Sequence, residues 1–534
     1  MMLTKFKLAK YIALVAIAIC GVVSFKQAAL TAEKIQFNYG LLGFEVKVQD
    51  LADFAQEGEI SDSLNFYLKR ISPQKTQKLQ KFLGQSYDVD PILVYRYSRT
   101  TVGIKMLQRI GDIIQLPGYL NGFYGLRAAV VQAAQSGDGI NLVDFLHRFP
   151  TDIKLNLDQL LKLVKQVAAT EEDTKEFLAS LSPEEVAEPK SDLEDLPNLS
   201  DEGQYQVTQQ TLELNDANRD RQLITDLYLP QGNLNHTPVI VISNGLGAKR
   251  DRFEELAHHL ASHGFAVVAP DHPGSDRQRQ KDFLRGLYKE NFDATDFIDR
   301  PLDISYILDR LEKLNVTRFN SQLDLEQVGI FGYSIGGTTA LSLAGAEFDF
   351  AQLEQDCAQP LNLLNISMLY QCRALELPRE QRSLKDERIK GAFMFVPFGK
   401  SMFKQQQLAN ITIPIVFQVV DQDFLTSLLE EQIPLFNALG KKSYLVISEN
   451  IPHSNVTLSK EQQSEQAQTS AVAKTYQNTL SLVFFKGYID HDQIYQPYLS
   501  SEYMQTVEQP PFKLHLIKQE AHKYISKHDN SSKK

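Results

Sequence analysis

The stretch VGIFGYSIGGTTALSLA, residues 328–344, decides the fold. Its first four residues are an apolar run typical of a buried strand, and residues 337–344 follow a helical pattern. Between them lies a G-x-S-x-G pentapeptide, residues 332–336. Small residues in such a turn let the backbone pass sharply from strand to helix and leave the serine exposed at the tip. Ser334 is therefore predicted to be a nucleophile, and an ordinary glycine-rich turn is the alternative.

Short apolar runs alternate with helical patterns on both sides of this turn. The strand candidates are residues 223–229, 239–243, 265–269, 328–331, 392–396, 415–420 and 444–447. Strands alternating with helices indicate a mostly parallel sheet covered on both faces. The predicted fold class is α/β, a doubly wound sheet over residues 205–500, with ligands expected at the carboxyl ends of its strands.

A nucleophilic serine needs a base and an orienting carboxylate, and in this fold they follow the serine in the order acid, then histidine. Of five downstream histidines, His453 lies in a short loop after a strand candidate and is the predicted base. The strand at 415–420 ends in Asp421 and Asp423, and side chains two apart share a face, so spacing leaves both open. Asp423 is preferred because it lies further into the loop; the other aspartate would then serve as a turn or cap residue.

Two backbone N–H groups are predicted to hold the oxyanion. One belongs to Ile335, the residue after the nucleophile. The other is assigned to Leu246 in the Asn-Gly-Leu-Gly loop at residues 244–247, whose glycines permit close backbone approach. A plain strand-to-helix turn would use the same glycines.

Four segments carry a family resemblance: PVIVISNGLG at 238–247, GFAVVAPDHPGS at 264–275, RPLD at 300–303 and GYSIGG at 332–337. Together they resemble secreted α/β-hydrolases of the platelet-activating-factor-acetylhydrolase and dienelactone-hydrolase-like type. The N-terminal block, with FNYG at 37–40 and NGFYGLRA at 121–128, is similar to a domain of unknown function fused to such hydrolases in cyanobacteria.

The resemblance implies a serine carboxylesterase or lipase-like activity, with Ser334, Asp423 and His453 in the matching positions. Two residues depart from the pattern: Asn244 stands where relatives usually have His, and Val420 stands where a Gly usually opens the acid segment. Dienelactone hydrolases proper use a cysteine nucleophile, so the serine here disfavours that substrate.

The N-terminus carries an export signal. Three lysines precede an apolar run at residues 11–25, which at 15 residues is shorter than the about 20 needed to span a bilayer. Residues 1–32 are therefore predicted to be a signal peptide, with an uncleaved membrane anchor as the alternative. The expected location is the periplasm, a lumen or the extracellular space. There Cys357 and Cys372 are expected to form a disulfide, with two free thiols as the alternative.

The remaining chain divides by composition. Residues 33–168 are predicted to form a small, mainly helical domain, and residues 169–204 an acidic linker, since 171–202 hold twelve Asp or Glu against two Lys. Residues 347–386 are a cap-like insertion, either an apolar wall over the site or a surface excursion, and 501–534 a C-terminal tail. The wall would use the following apolar residues: Leu361, Leu363, Leu364, Ile366, Met368 and Leu369.

These patterns predict a serine hydrolase that acts on a small-molecule or lipid ester and needs no cofactor or metal. A net charge of -11 with no basic stripe disfavours nucleic-acid binding. Two alternatives remain open: a binding or envelope-tethered protein on a hydrolase fold, and an acyltransferase that uses the same triad. The sequence carries no signal for which ester is the substrate or for the oligomeric state.

Overall fold

The computed structural model describes residues 31–135, 137, 139–181, 198–232, 236–360, 362–380, 383–453 and 463–519. The predicted signal segment, except for its last two residues, and residues 182–197 of the predicted linker lie outside these ranges. The chain divides into two compact units. One comprises Met1–Val94 with Ile110–Leu160, and the other comprises Tyr95–Arg109 with Leu161–Lys534.

The first unit contains a four-stranded sheet in the order β2-β1-β4-β3. Its strands are β1 (Lys34–Tyr39), β2 (Leu42–Lys47), β3 (Ile114–Gln115) and β4 (Ile153–Leu155). The helices of the N-terminal region are α1 (Val48–Glu57), α2 (Asp62–Leu68), α3 (Pro73–Gly84), α4 (Pro91–Tyr97), α5 (Thr101–Gly111), α6 (Phe123–Ala134), α7 (Leu142–His147) and α8 (Leu157–Ser180). A small core made by α1, α2, α3 and α7 includes Phe54, Leu64 and Val143.

Half of this sheet follows from the sequence pattern: residues 35–39 and 44–48 alternate apolar and polar around Gly40–Gly43 and predict a small hairpin, and β1 and β2 pair antiparallel as that hairpin. Strands β3 and β4 were not expected in the mainly helical domain. Strands of two and three residues, as in β3 and β4, are too short to show an alternating pattern in the sequence. They are held in place by pairing with β1 and with each other.

The second unit is built on a nine-stranded sheet in the order β13-β12-β11-β10-β9-β7-β8-β6-β5. Its strands are β5 (Val207–Asp216), β6 (Arg221–Pro230), β7 (Thr237–Ser243), β8 (Ala266–Pro270), β9 (Leu323–Tyr333), β10 (Ile389–Phe395), β11 (Ile415–Gln422), β12 (Ser443–Pro452) and β13 (Leu514–Lys518). The six strands from β8 through β12 in this order pair in parallel, whereas β5, β6 and β13 pair antiparallel at the edges.

Helices cover both faces of this sheet. They are α9 (Glu254–Ser262), α10 (Arg277–Arg285), α11 (Asp296–Thr317), α12 (Ile335–Ala344), α13 (Phe350–Ala358), α14 (Ser367–Gln371), α15 (Gln405–Ala409), α16 (Ile433–Asn437), α17 (Gln463–Tyr488) and α18 (Ser501–Val507). Single turns lie at Arg250–Phe253, Cys372–Glu376, Leu428–Gln432 and Gln493–Tyr498. Within the described ranges, no helix is long and apolar enough to cross a membrane.

The central strands are apolar on both faces because each face has its own core. In β7, Val239 and Val241 belong to the core beneath α11 and α12, whereas Ile240 and Ile242 belong to the core beneath α9 and α17. This alternation follows from the two-residue period of a strand. The predicted α/β fold, a doubly wound and mostly parallel sheet, is confirmed.

Each of the seven predicted strands overlaps an observed one, but both edge strands, β5 and β13, were missed. The stretch predicted as a tail contains α18 and β13, and β13 pairs antiparallel with β12. The domain therefore continues past residue 500. Helix α8 likewise runs to Ser180 into the predicted linker, where Phe177 is buried against the sheet core. Glutamate-rich sequence favours helix, and one buried aromatic residue anchors this one.

Candidate active site

Ser334 occupies the predicted strand-to-helix turn, between β9 and α12. Its backbone has φ 53° and ψ -118°, a conformation that costs energy for a residue with a side chain. A Cβ on Gly332 or Gly336 would lie within 3.0 Å of backbone oxygens, so both positions require glycine. The turn is tied to β10 by the Ser334 N–H, which donates to Phe395 O at 2.9 Å. The strained backbone therefore holds the serine at the carboxyl end of the central strand.

His453 follows β12 and lies beside Asp423. The histidine Nδ1 is 2.6 Å from Asp423 Oδ2, and both side chains are buried. The other carboxylate oxygen, Oδ1, accepts hydrogen bonds from the N–H groups of Leu425 and Thr426, each at 2.8 Å. Thr426 Oγ1 also donates to Oδ2. The carboxylate is therefore fixed by its own loop.

These contacts set the charge of Asp423. Burial acts to raise the pKa of the carboxyl, but His453 and the hydrogen bonds from Thr426 outweigh burial and hold the pKa below its ordinary value. An ionised carboxylate accepts a hydrogen bond, so the proton of a neutral His453 lies on Nδ1. The Nε2 atom is then free to accept a proton.

Asp421 has a different partner. Its Oδ1 accepts from the Asn450 N–H at 2.7 Å, and burial raises its pKa to about 6. Spacing in the sequence left the two aspartates open, and the structure separates them: Asp423 contacts the histidine, and Asp421 joins the end of β11 to β12. The residue that decides this is Thr426, whose N–H and hydroxyl hold Asp423 in its turn.

Ser334 and His453 line one cavity of about 390 Å³. Among the described residues no hydrogen bond joins the Ser334 hydroxyl to the histidine, and in serine enzymes this contact often tightens only when substrate binds. Tyr333 supports the pair, because its hydroxyl donates to His453 O at 3.1 Å. Sequence reasoning did not single out Tyr333, although it is the variable residue just before the serine.

Leu246 and Ile335 line the same cavity. Within the part of the chain that the structure describes, neither backbone N–H donates to another group. Ile335 begins α12, so its N–H is one of the unpaired donors at a helix N-terminus. Two N–H groups without an acceptor among the described residues therefore belong to residues that line the cavity with Ser334.

A buried arginine fixes the loop that carries Leu246 through hydrogen bonds. Arg300 donates from Nη1 to Asn244 O at 2.5 Å and from Nε to Ser275 Oγ at 2.7 Å. Ser275 O in turn accepts from the Gly247 N–H at 2.7 Å. Asn244, where relatives usually have His, donates from its amide to Lys249 O at 3.2 Å and so closes the same loop. Arg300 of the RPLD motif and Ser275 of the PDHPGS motif thus fix the position of the loop that carries Leu246.

The charge of Arg300 is balanced inside the protein. Burial lowers its pKa to about 10, while Asp296 and Asp303 act to raise it. Asp296 accepts from the Ser275 hydroxyl, and Arg221 pairs with Asp303 at 2.7 Å. A buried charge of this kind is tolerated only when it is paired and hydrogen-bonded.

A second serine, histidine and aspartate set lies behind this loop. His272 Nε2 is 3.2 Å from Ser243 Oγ, and His272 Nδ1 is 3.1 Å from Asp303 Oδ2. All three side chains are buried, and burial lowers the pKa of His272 to about 4. A substrate cannot reach these residues, so this set supports the β7 and α11 packing.

Besides the catalytic loops, the insertion and two helices contribute to the cavity walls. The insertion contributes Ser367 and Tyr370, and helices α4 and α10 contribute Tyr97 and Gln280. Of the six apolar residues predicted to form this wall, Leu361 lies outside the described ranges and the other five do not line the cavity. A five-residue helix, α14, presents only one face, and that face carries Ser367 and Tyr370.

A disulfide crosslinks the insertion internally, and hydrogen bonds attach it to the rest of the domain. Cys357 and Cys372 form a disulfide. Ser367 N donates to Leu425 O at 2.7 Å, and Asn365 Nδ2 donates to the buried Glu431 at 2.9 Å. Among the described residues, no group of three or more His, Cys, Asp or Glu could hold a metal ion.

Comparisons with known proteins agree with this architecture. Residues 31–156 match a family model described as an alpha/beta hydrolase of unknown function (DUF1400), and residues 238–349 match a family model of the alpha/beta hydrolase fold. No curated protein matches the chain significantly. The second match covers β7 through α12, including the serine turn and the loop at Leu246. The chain therefore contains an α/β-hydrolase domain.

Proposed function

We propose that this chain is a serine hydrolase that cleaves carboxylic esters through an acyl-enzyme intermediate. One observation carries the proposal. Ser334, at the tip of a strained turn, lines the same cavity as His453, and His453 Nδ1 is hydrogen-bonded to Asp423 Oδ2. Nucleophile, base and orienting acid in this arrangement are the requirements of acyl transfer.

The first half of the reaction acylates the serine. Ser334 Oγ attacks the ester carbonyl carbon while His453 Nε2 takes the hydroxyl proton. The carbonyl oxygen becomes an oxyanion, which the N–H groups of Leu246 and Ile335 bind. When the tetrahedral intermediate collapses, the C–O bond to the alcohol breaks and His453 gives its proton to the leaving alcohol. Asp423 keeps the ring in orientation and stabilises the imidazolium.

The second half releases the acid. Water gives a proton to His453 Nε2 as its oxygen attacks the acyl carbon. The new intermediate collapses, Ser334 recovers the proton from the histidine, and a carboxylic acid leaves. The net reaction is ester plus water to acid plus alcohol.

The proposed substrate is a neutral ester of a lipid or of a short acyl group. Among the described residues that line the cavity, none carries the side chain of Asp, Glu, Lys or Arg. An ionised substrate group would be buried without a partner there, at a cost of several kcal/mol (on the order of 3–5 where a partner is missing). Leu246, Ile335 and Phe398 provide apolar contact instead.

The same proposal places the enzyme in an exported compartment. The Cys357–Cys372 disulfide supports this, because disulfides persist in oxidising spaces and are rare in the cytosol. The apolar run that follows three lysines near the N-terminus supports it independently.

Fluorophosphonate labelling, read by intact mass, tests the proposal. The probe reacts with an activated serine, so the wild-type chain should gain one label and Ser334→Ala should gain none. Ser342→Ala is the matched control, since Ser342 is buried in α12, the helix that follows Ser334, and its hydroxyl has no partner among the described residues. The control should be labelled like the wild type.

Hydrolysis of p-nitrophenyl esters should follow the labelling. Equal labelling of Ser334→Ala and wild type would refute the assignment of the nucleophile. A folded wild-type chain that neither takes the label nor cleaves any ester would refute the proposed function, and would favour a binding role on the same fold.

A further inference from the structure

Tyr97 is a cavity residue that comes from outside the hydrolase part of the sequence. It ends α4, within the stretch matched by the first family model, yet Tyr95–Arg109 belongs to the same compact unit as Leu161–Lys534. Its side chain lines the cavity that contains Ser334 and His453. The sequence predicted a separate N-terminal domain with no catalytic signature, so this contribution was missed.

The segment around Tyr97 is anchored to α10 and to the loop after it. Arg96 Nε donates to Phe283 O at 2.8 Å, and the Tyr97 ring packs edge-on against the Phe283 ring with centroids 5.2 Å apart. Further along, the Thr101 N–H donates to Glu290 Oε1 at 3.0 Å. These contacts give Tyr97 a defined position in the wall.

The Tyr97 hydroxyl is surrounded by amides. Gln280 Nε2 donates to it at 3.1 Å and Asn291 Nδ2 at 3.3 Å. A phenol oxygen accepts two hydrogen bonds and keeps one proton to donate. Gln280 Oε1 lies 3.3 Å away, but the shorter contact uses the amide nitrogen. With both amides donating, the phenol proton can turn from the long contact with Gln280 Oε1 to an acceptor oxygen in the cavity.

The cluster also adjoins the loop that binds the oxyanion. A Cβ on Gly247 would lie 3.8 Å from Gln280 Cβ, so Gln280 is in van der Waals range of that loop. Burial raises the pKa of Tyr97, in keeping with a phenol that stays protonated as a donor. Tyr97 and Gln280 therefore lie in the same cavity wall as the loop of Leu246 and Gly247, in the cavity that contains Ser334.

We infer that Tyr97 is a specificity residue that donates a hydrogen bond to a second, neutral oxygen of the substrate, such as an ether, hydroxyl or carbonyl oxygen. The inference rests on the proposed ester hydrolysis. It narrows the substrate to esters that carry an acceptor oxygen away from the scissile bond. Plain alkyl esters would be cleaved without this contact.

Matched substrates test the inference. Wild type and Tyr97→Phe are compared on p-nitrophenyl hexanoate and on its three analogues in which oxygen replaces the methylene at position 3, 4 or 5. The quantity measured is kcat/KM for each analogue divided by kcat/KM for hexanoate. Loss of one neutral hydrogen bond should lower this ratio about threefold to tenfold in Tyr97→Phe for at least one analogue. Tyr95→Phe, on the same helix and exposed, should leave it unchanged.

A second variant covers the case in which Tyr97→Phe does not fold. Gln280→Met removes one of the two amides that orient the phenol and should lower the same ratio. Unchanged ratios for all three analogues in a folded variant would overturn the inference and leave the proposed function intact. Failure of the wild type to cleave hexanoate would overturn both, and Ser334→Ala shows that any cleavage belongs to this site.

Discussion

Replacing Asp423 by asparagine tests the catalytic arrangement most directly. The two side chains have almost the same shape, and the Asn Oδ1 can still accept from the N–H groups of Leu425 and Thr426. The fold of the loop should therefore survive. What changes is the atom that faces His453 Nδ1 at 2.6 Å, which becomes an amide N–H₂ in place of a carboxylate oxygen.

The size of the effect follows from that change. An amide donor facing Nδ1 makes Nδ1 an acceptor, so the proton of a neutral imidazole moves to Nε2. His453 then has no lone pair on the atom that must accept the proton of Ser334. The same substitution in a serine protease triad lowers kcat by about 10⁴. We expect kcat here to fall by about 10³ to 10⁴, which corresponds to about 4–5 kcal/mol of activation free energy.

The assay is ester hydrolysis together with the rate of fluorophosphonate labelling. Asp421→Asn is the matched control, because Asp421 lies two residues away and accepts from Asn450 rather than from the histidine. It should keep kcat within about threefold of wild type. Near-normal labelling and turnover of a folded Asp423→Asn variant would refute the reasoning, and a large loss confined to Asp421→Asn would reverse the assignment.

Three further predictions concern stability. Because burial raises the pKa of Asp421 to about 6, the folded chain binds more protons than the unfolded chain between about pH 4 and 6, so wild-type stability falls as pH rises through that window. In urea unfolding, the free energy of unfolding of Asp421→Asn should exceed that of wild type by about 1–2 kcal/mol at pH 8 and should equal it near pH 4. A difference that stays constant with pH would contradict this linkage. Replacing Cys357 and Cys372 together by alanine opens a loop between residues 15 apart and should lower the free energy of unfolding by about 3 kcal/mol; no change in the urea midpoint would argue against the crosslink. Gly336→Ala should abolish labelling or folding, because the added Cβ would meet a backbone oxygen. At Gly487 no atom lies within 4 Å of the added Cβ, so Gly487→Ala should be neutral or raise the free energy of unfolding by up to about 1 kcal/mol in thermal unfolding. A stable, labelled Gly336→Ala would contradict the packing argument.

Local patterns in the chain were enough to predict the sheet and the nucleophile turn. A buried parallel strand is a short run of apolar residues, and the turn at Ser334 needs glycine wherever a Cβ would meet backbone. Both signals lie within a few neighbouring residues. The edge strands β5 and β13 lacked such a signal, because an edge strand is only half buried and its register depends on the neighbour with which it pairs.

The sequence by itself determined the α/β order of elements, the strained position of Ser334 and the candidate histidine after β12. Only the tertiary structure decided which aspartate meets His453, since Asp421 accepts from Asn450 of β12, whereas Asp423 is held by the loop after β11 and pairs with the histidine. It also brought Tyr97 to the cavity from a distant part of the chain. Contacts between residues far apart in sequence depend on packing, which no spacing along one strand or helix can report.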